Sequence, residues 1–271
     1  MTRPRLSIIT PSYNQGAFIE RTIRSVLDQG YENLEYLVAD GGSTDESVDV
    51  IRRYEDRIAW WVSERDKGQT DALNKALRRA TGEYVAYVNS DDWFLPGAFD
   101  AAVDALERTS ARWVVGACRY DGDAGRTVDV WRPTLPTIIP RWRWVHDPWG
   151  TPQPSSFWRR DLFEELGPFR EDLHYVFDTE HGLRLIFAGY LPELIDRELA
   201  VRDLHEEAKS AANEEAWAEE RRRLVEMYAP RLAPRDRATL RLHQGLWRLR
   251  FPKLMEAVQP LTSRVRRAVR R

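Results

Sequence analysis

Two adjacent carboxylates close the stretch "YVAYVNSDDWF", Tyr84 to Phe94. An apolar run rises to Val88, stops at Asn-Ser-Asp-Asp and resumes with an aromatic pair. Asp91 and Asp92 are therefore expected at the carboxyl end of a strand. Such a pair suits a hard divalent cation, which takes oxygen ligands and is often held by only one or two carboxylates plus phosphate oxygens and water. The same pair would also serve as a helix cap with a spare acid. Asp40 in "VADGGSTD" poses a similar choice. Gly41 and Gly42 let the backbone turn sharply and come close to a ligand, and Asp40 could accept a hydrogen bond from a nucleobase N–H. A Gly-rich turn followed by a Ser43 cap explains the glycines without requiring Asp40. "SERDKGQTDALNKA" carries Glu64, Asp66, Lys67, Asp71 and Asn74. Here a lysine can act as a point charge on phosphate, and the following helix start favours anions. The spacing is not that of a P-loop, and a charged, solvated turn is the plainer alternative.

These clusters need elements to hold them, and the chain supplies a regular alternation. "LSIIT" (6–10), "LEYLVAD" (34–40), "IAWWVS" (58–63), "EYVAYVN" (83–89) and "RWVVGAC" (112–118) read as strands. Between them Phe18, Ile19, Ile23, Val26 and Leu27 share one helix face, as do Ala72, Leu73, Ala76, Leu77 and Ala80. Ser43 and Glu46 have capping-box spacing, and Pro96 suits a first helical turn. The alternation predicts an α/β fold with a mainly parallel, doubly wound sheet. In such sheets ligands bind beyond the carboxyl ends of the strands. "TPSYNQG", "DGGSTD", "SERDKGQTD" and "NSDDW" all follow strands, so four polar clusters share one edge.

Farther on, "RYDGDAGRTVDVWRP" reads as a hairpin, and the Pro- and Trp-rich stretch up to residue 157 as an irregular functional loop. Trp142, Trp144 and Trp149 are expected to shape one wall of a ligand cleft there. Helices follow through "RRDLFEELG" and "FDTEHGLRLIFAG", the latter closed by Gly189, and "ELAVRDLH" reads as a last strand. Asp178, Glu180 and His181 open the second of these helices, where its dipole favours acids. Asp178 and Glu180 are two apart and so diverge on a helix, so only one is expected to enter a cleft.

The 271 residues carry 42% apolar and 31% charged side chains, ordinary for a soluble globular protein. The single cysteine, Cys118, excludes an internal disulfide framework and fits a reducing compartment. No apolar run approaches the ~20 residues that span a bilayer, and the amino terminus lacks a signal-peptide core. The net charge of −2 hides an asymmetry: eleven Lys/Arg against two Asp/Glu from Arg235 onward, and 30 against 41 before it. Basic residues interleaved with Leu, Trp and Phe over 235–271 suit a membrane surface, a subunit contact or a packed cap.

The segments "LSIITPSYNQGAFIERTIRSVLDQGYENLEYLVADGGSTDES" and "SERDKGQTDALNKALRRATGEYVAYVNSDDWFLPGA" together resemble a family 2 glycosyltransferase of the GT-A fold. The resemblance runs from about Leu6 to Lys209. It implies a catalytic domain over 1–210, with 211–271 as a helical, basic extension. It also implies an inverting, metal-dependent transfer from a nucleotide-diphosphate sugar to an acceptor hydroxyl in polysaccharide or glycolipid synthesis. By position, Asp40 would contact the donor base, with Pro11 and Tyr13 lining the same pocket. Asp66, Lys67 and Asn74 would join the donor site. Ser90, Asp91 and Asp92 match the DxD-type element, Asp91 toward the ribose and Asp92 on Mn²⁺ or Mg²⁺. His205 would reach the metal or diphosphate from the far side. Asp178 occupies the position of the catalytic base, with Glu180 as its rival.

Expected partners are the nucleotide-sugar donor and a glycan or lipid-linked acceptor. A second copy of the chain and a membrane contacted through 235–271 are candidates, and nucleic acid is excluded. The expected location is cytoplasmic, at most peripheral on the inner membrane face. A nucleotide-sugar-forming nucleotidyltransferase is the alternative enzyme, but "TPSYNQG" lacks the basic, Gly-rich loop that would hold a triphosphate. A non-catalytic nucleotide-sugar binding protein is the third reading.

Overall fold

The structure is a computed structural model that describes residues 2–122, 125–134, 140–146, 151–205 and 214–248. Trp149, the segment after His205 and the basic tail beyond residue 248 lie outside it, and with them most of the expected membrane contact. Strands β1 (Leu6–Ser12), β2 (Leu34–Asp40), β3 (Trp60–Ser63) and β4 (Tyr84–Tyr87) form the parallel part of one sheet, in the order β3-β2-β1-β4. Helices α1 (Gly16–Leu27), α2 (Ser47–Arg52) and α3 (Gln69–Leu77) make the crossovers. The rest of the sheet is mixed. Strand β8 (Ser156–Arg159) lies antiparallel between β4 and β6 (Trp113–Asp121), and β6 pairs in parallel with β9 (Glu193–Asp203). The expected hairpin is β6 with β7 (Thr127–Trp131), and the two-residue β5 (Trp93–Phe94) pairs antiparallel to β9.

Period-two alternation sorts the strand side chains into two cores. Ile8, Val38 and Ala86 pack against α1, α2 and α4 (Ala98–Arg108) on one face. Ile9, Leu37 and Val85 point the other way, toward α3, α6 (Asp161–Leu166) and α7 (Phe177–Ala188). The same second core takes in Trp144 of α5 (Arg141–His146), Leu224 and Tyr228 of α8 (Glu214–Tyr228), and Leu240 of α9 (Pro234–Arg248). The helical extension therefore shares the core of the body. Gly189 closes α7 in the left-handed conformation, as expected from the sequence.

Register aligns the polar clusters. Ser12 sits opposite Asp40, and Asp40 opposite Ser63, so the loops after β1, β2 and β3 leave the sheet at one edge. The first two loops are tied together. Asn14, at φ 51°, receives the Thr44 amide on its side chain at 2.9 Å and donates its own amide to Ser43 Oγ at 2.8 Å. Asparagine tolerates that left-handed backbone better than most residues. The expected capping box does not form, because α2 starts at Ser47 and Asp45 takes the Ser47 and Gly16 amides instead.

Candidate active site

Beyond this edge lies a cleft of about 780 Å³. Its floor and one wall come from Pro11 near the end of β1 and from the loops after β1 to β4: Tyr13, Gly41, Gly42, Asp66, Ser90, Asp91 and Asp92. Tyr13 is 59% exposed at the mouth, an aromatic face free to stack on a planar ring. The opposite wall is made by Tyr120, Trp131, Gln153, the segment His174–Thr179, Arg202, Trp217 and Arg221.

Asp92 lies at the base of the cleft, 3% exposed. Its Oδ1 accepts the Asp203 amide at 3.1 Å, and Asn89 approaches its Oδ2 at 3.4 Å. Burial, and then the neighbouring Asp91, push its carboxyl well above the ordinary range; Arg202, the Asp203 amide and Asn89 pull the other way. Asp91 is more open, and His205 Nε2 stands 3.2 Å from its Oδ2 while the imidazole stacks on Phe18 at 4.4 Å. His205 thus reaches Asp91, not Asp92, and lies outside the cleft lining.

Asp178 faces this pair from the first turn of α7. Its carboxyl is packed among protein atoms yet keeps a side open to the cleft, and the Thr179 amide donates to it at 2.6 Å. Burial pushes its pKa up, against the Thr179 amide and Arg202, which pull it down. Glu180 diverges, as the helix period requires. It is 3% exposed, accepts the Tyr228 hydroxyl at 2.6 Å and pairs with Arg184 at 3.1 Å, so both of its interactions lie within the helical body.

Arg202 was not foreseen. Burial alone would lower its guanidinium, but Tyr120, Asp92 and Asp178 around it carry it up, so one fixed cation feels both acid centres. The available signal was a lone arginine inside the strand-like "ELAVRDLH". Trp131, Trp217 and Arg221 were also missed as cleft residues. Two of the tryptophans expected on that wall, Trp142 and Trp144, do something else. Trp144 is buried in the core and Trp142 packs against it, because α5 forms and turns its aromatic face inward.

Three other expected donor contacts are placed differently. Asp40 is 2% exposed, and its oxygens receive Ser63 Oγ at 2.6 Å, the Ser43 amide at 2.9 Å, the Gly42 amide at 3.1 Å and Ser43 Oγ at 2.5 Å. It shapes the glycine loop from beneath and is absent from the lining. Asn74 is 1% exposed on the inner face of α3, where it exchanges hydrogen bonds with the Phe169 backbone at 2.8 and 3.1 Å. Burial of that helix face removes it from the cleft. Lys67 points its side chain to solvent outside the lining, its amide bonded to Asp71.

Asp66 does line the cleft, and Gly41 makes room for it. A Cβ on Gly41 would stand 2.6 Å from Asp66 Oδ2. Gly41→Ala is therefore expected to push the Asp66 carboxylate aside with little change in stability. Affinity for UDP or GDP should fall about tenfold, the scale of one charge-assisted hydrogen bond. Titration calorimetry with both nucleotides checks this, and unchanged affinity for each would remove Asp66 from the nucleotide site.

Residues 7–170 match the family described as "Glycosyl transferase family 2". The chain belongs to glycosyl transferase family 2. Among individual relatives, the uncharacterized glycosyltransferase Rv1514c of Mycobacterium tuberculosis is 31% identical over 186 residues, which covers 67% of this chain and 68% of that protein. TuaG of Bacillus subtilis (strain 168), whose name ties it to teichuronic acid biosynthesis, is 45% identical over 93 residues. That match covers 33% of this chain and only 37% of TuaG.

Solved structures agree on the GT-A fold of this family 2 chain. S. aureus TarS 1-349 in complex with UDP-GlcNAc superposes with a TM-score of 0.66 at 19% identity, covering 87% of this chain and 69% of TarS 1-349. The mannosyltransferase PcManGT from Pyrobaculum calidifontis, in complex with GDP-Man and Mn²⁺, gives 0.57 at 24% identity, covering 89% and 70%.

Proposed function

We propose that this chain is an inverting glycosyltransferase. It moves a sugar from a nucleotide-diphosphate sugar to an acceptor hydroxyl, in the synthesis of a cell-surface glycan or lipid-linked saccharide. The placement of Asp178 carries the reading: it faces Asp91 and Asp92 across one cleft, with Arg202 interacting with Asp92 and Asp178. Names of relatives and the ligands of structural neighbours support the donor class and the cell-surface setting.

The residues at the cleft base fit a divalent cation, Mn²⁺ or Mg²⁺. Asp92 is a buried carboxyl beside a second carboxylate, so its charge is unfavourable without added positive charge. Among the described residues no three His, Cys, Asp or Glu side chains group as metal ligands, and donor oxygens and water would complete the shell around an ion on Asp92. Asp92 would hold the ion with Asp91, and His205 would support Asp91. When bound, the ion supplies positive charge against that developing on the diphosphate.

The remaining chemistry belongs to side chains. Tyr13 and the Gly41-Gly42 loop receive the nucleoside, and Arg202 adds a fixed cation beneath the diphosphate. Asp178 accepts the proton of the acceptor hydroxyl as that oxygen bonds to the anomeric carbon and the bond to the diphosphate breaks, its electrons leaving with the nucleoside diphosphate. One displacement from the opposite face inverts the anomeric configuration. The aromatic wall of Trp131, Tyr175 and Trp217 suits the acceptor's sugar rings.

A panel of UDP- and GDP-sugars incubated with Mn²⁺ or Mg²⁺ tests this. Slow release of nucleoside diphosphate and free sugar is the expected result, because water replaces the missing acceptor. Formation of nucleoside triphosphate and sugar 1-phosphate when pyrophosphate is added would point to a nucleotidyltransferase, and binding with no turnover to a non-catalytic protein.

A further inference from the structure

Helix α8 follows the whole sheet in sequence, yet it grips the segment that leads into α7. Glu220 of α8 is 7% exposed. Its Oε1 accepts the His174 amide at 2.7 Å, and its Oε2 accepts the amides of Tyr175 at 2.7 Å and Val176 at 3.2 Å. Asp178 lies two residues farther on. Arg223, nearly one turn along α8, donates to the Asp172 carbonyl at 3.0 Å and to its carboxylate at 2.6 Å. Tyr228 donates to Glu180 at 2.6 Å. These contacts fall at 172, 174–176 and 180, on both sides of Asp178. Helix α7 has no side-chain cap of its own, since Val176 stands at its N-cap. A carboxylate that gathers three successive amides, the last of them that of the Val176 N-cap, fixes the backbone that enters α7 and places negative charge at its amino end.

We propose that Glu220 is a positioning residue for Asp178, and that α8 is thereby a working part of the active site. The inference rests on Asp178 being the base. Glu220 touches neither the cleft nor the reacting atoms; it acts by setting where α7 begins. A base displaced by about 1 Å can lose on the order of 10² in rate, while the nucleotide end of the cleft, built on β1 to β4, is untouched. A residue that only stabilises the fold would have no such selective effect on turnover.

The test compares Glu220→Ala and Glu220→Gln with Asp178→Asn in steady-state hydrolysis of the UDP- or GDP-sugar turned over fastest in the panel above. Glu220→Ala is expected to lower kcat by about 10–10²-fold with the donor KM within about twofold of wild type. Amide exchange at 174–176 should accelerate in step. Glu220→Gln keeps one carbonyl acceptor and should recover part of the rate; it also decides the matter if the alanine variant does not fold. Wild-type kcat in both variants would overturn the proposal, as would parallel changes in kcat, donor KM and melting temperature. If Asp178→Asn keeps turnover, or no donor is turned over at all, the base assignment itself falls and takes this inference with it, whatever Glu220 does.

Discussion

Asp178→Asn is expected to bind the donor nucleotide as tightly as wild type and to lose transfer by about 10²–10⁴-fold, the range for removal of a general base. Asp178 opens onto the cleft, whereas Glu180 is bonded to Tyr228 and Arg184 within the helical body. Glu180→Gln should therefore reduce stability, because it disturbs a buried ion pair and hydrogen bond, while the folded fraction keeps its kcat. Kinetics on both variants, with nucleotide binding by calorimetry, separate the two roles. A stable but inactive Glu180→Gln beside an active Asp178→Asn would reverse the assignment. The base must be ionised to work, and burial raises the Asp178 pKa. The rate should therefore fall with decreasing pH at values above the ordinary aspartate range, and this acidic limb should vanish from the residual activity of Asp178→Asn.

Asp92→Asn is expected to give opposite results for stability and for activity. Burial and Asp91 hold the Asp92 carboxyl well above its ordinary pKa in the metal-free fold. A carboxyl raised by folding binds its proton more tightly in the native than in the unfolded state. Stability is therefore lost as pH rises from the ordinary aspartate pKa through the raised one. Above the ordinary aspartate pKa the buried carboxyl must either keep its proton or carry an unfavourable charge, and the neutral amide relieves this. Metal-free Asp92→Asn should melt higher than wild type, by about 2–4 °C for each kcal/mol recovered. Its turnover in Mn²⁺ should fall by at least about 10²-fold, the scale for losing one electrostatic contribution to a developing charge. Differential scanning calorimetry across pH, with and without Mn²⁺, reads the first effect and donor hydrolysis the second. A lower melting temperature with full activity would show that Asp92 is a structural acid.

How far the site could be read from sequence depends on how local each cause is. Asp91, Asp92, Ser90, Tyr13 and Asp66 line the cleft because each follows a strand end, and Pro11 because it lies near the end of β1; strand ends of a parallel sheet share one edge by topology. Asn74 belongs to the segment after β3, but it lies on the α3 face that packs against the Phe169 turn, 95 residues away. Asp40 has the right position, yet its lone pairs are engaged by Ser43 and Ser63, and the latter arrives only through β2–β3 pairing.

What the amino-acid sequence determined by itself was the alternation of strands and helices, the carboxyl-end clusters and the divergence of Asp178 from Glu180. All of these follow from periods of two and 3.6 residues and from turn chemistry, which act over a few positions. Tertiary structure decided the rest. It chose which of the two acids meets the cleft, set Arg202 beside both Asp92 and Asp178, and put Glu220 of α8 under the entry to α7. Those contacts join residues 24 to 110 positions apart. Their partners are selected by how two cores pack on the two faces of one sheet, and no local pattern carries that information.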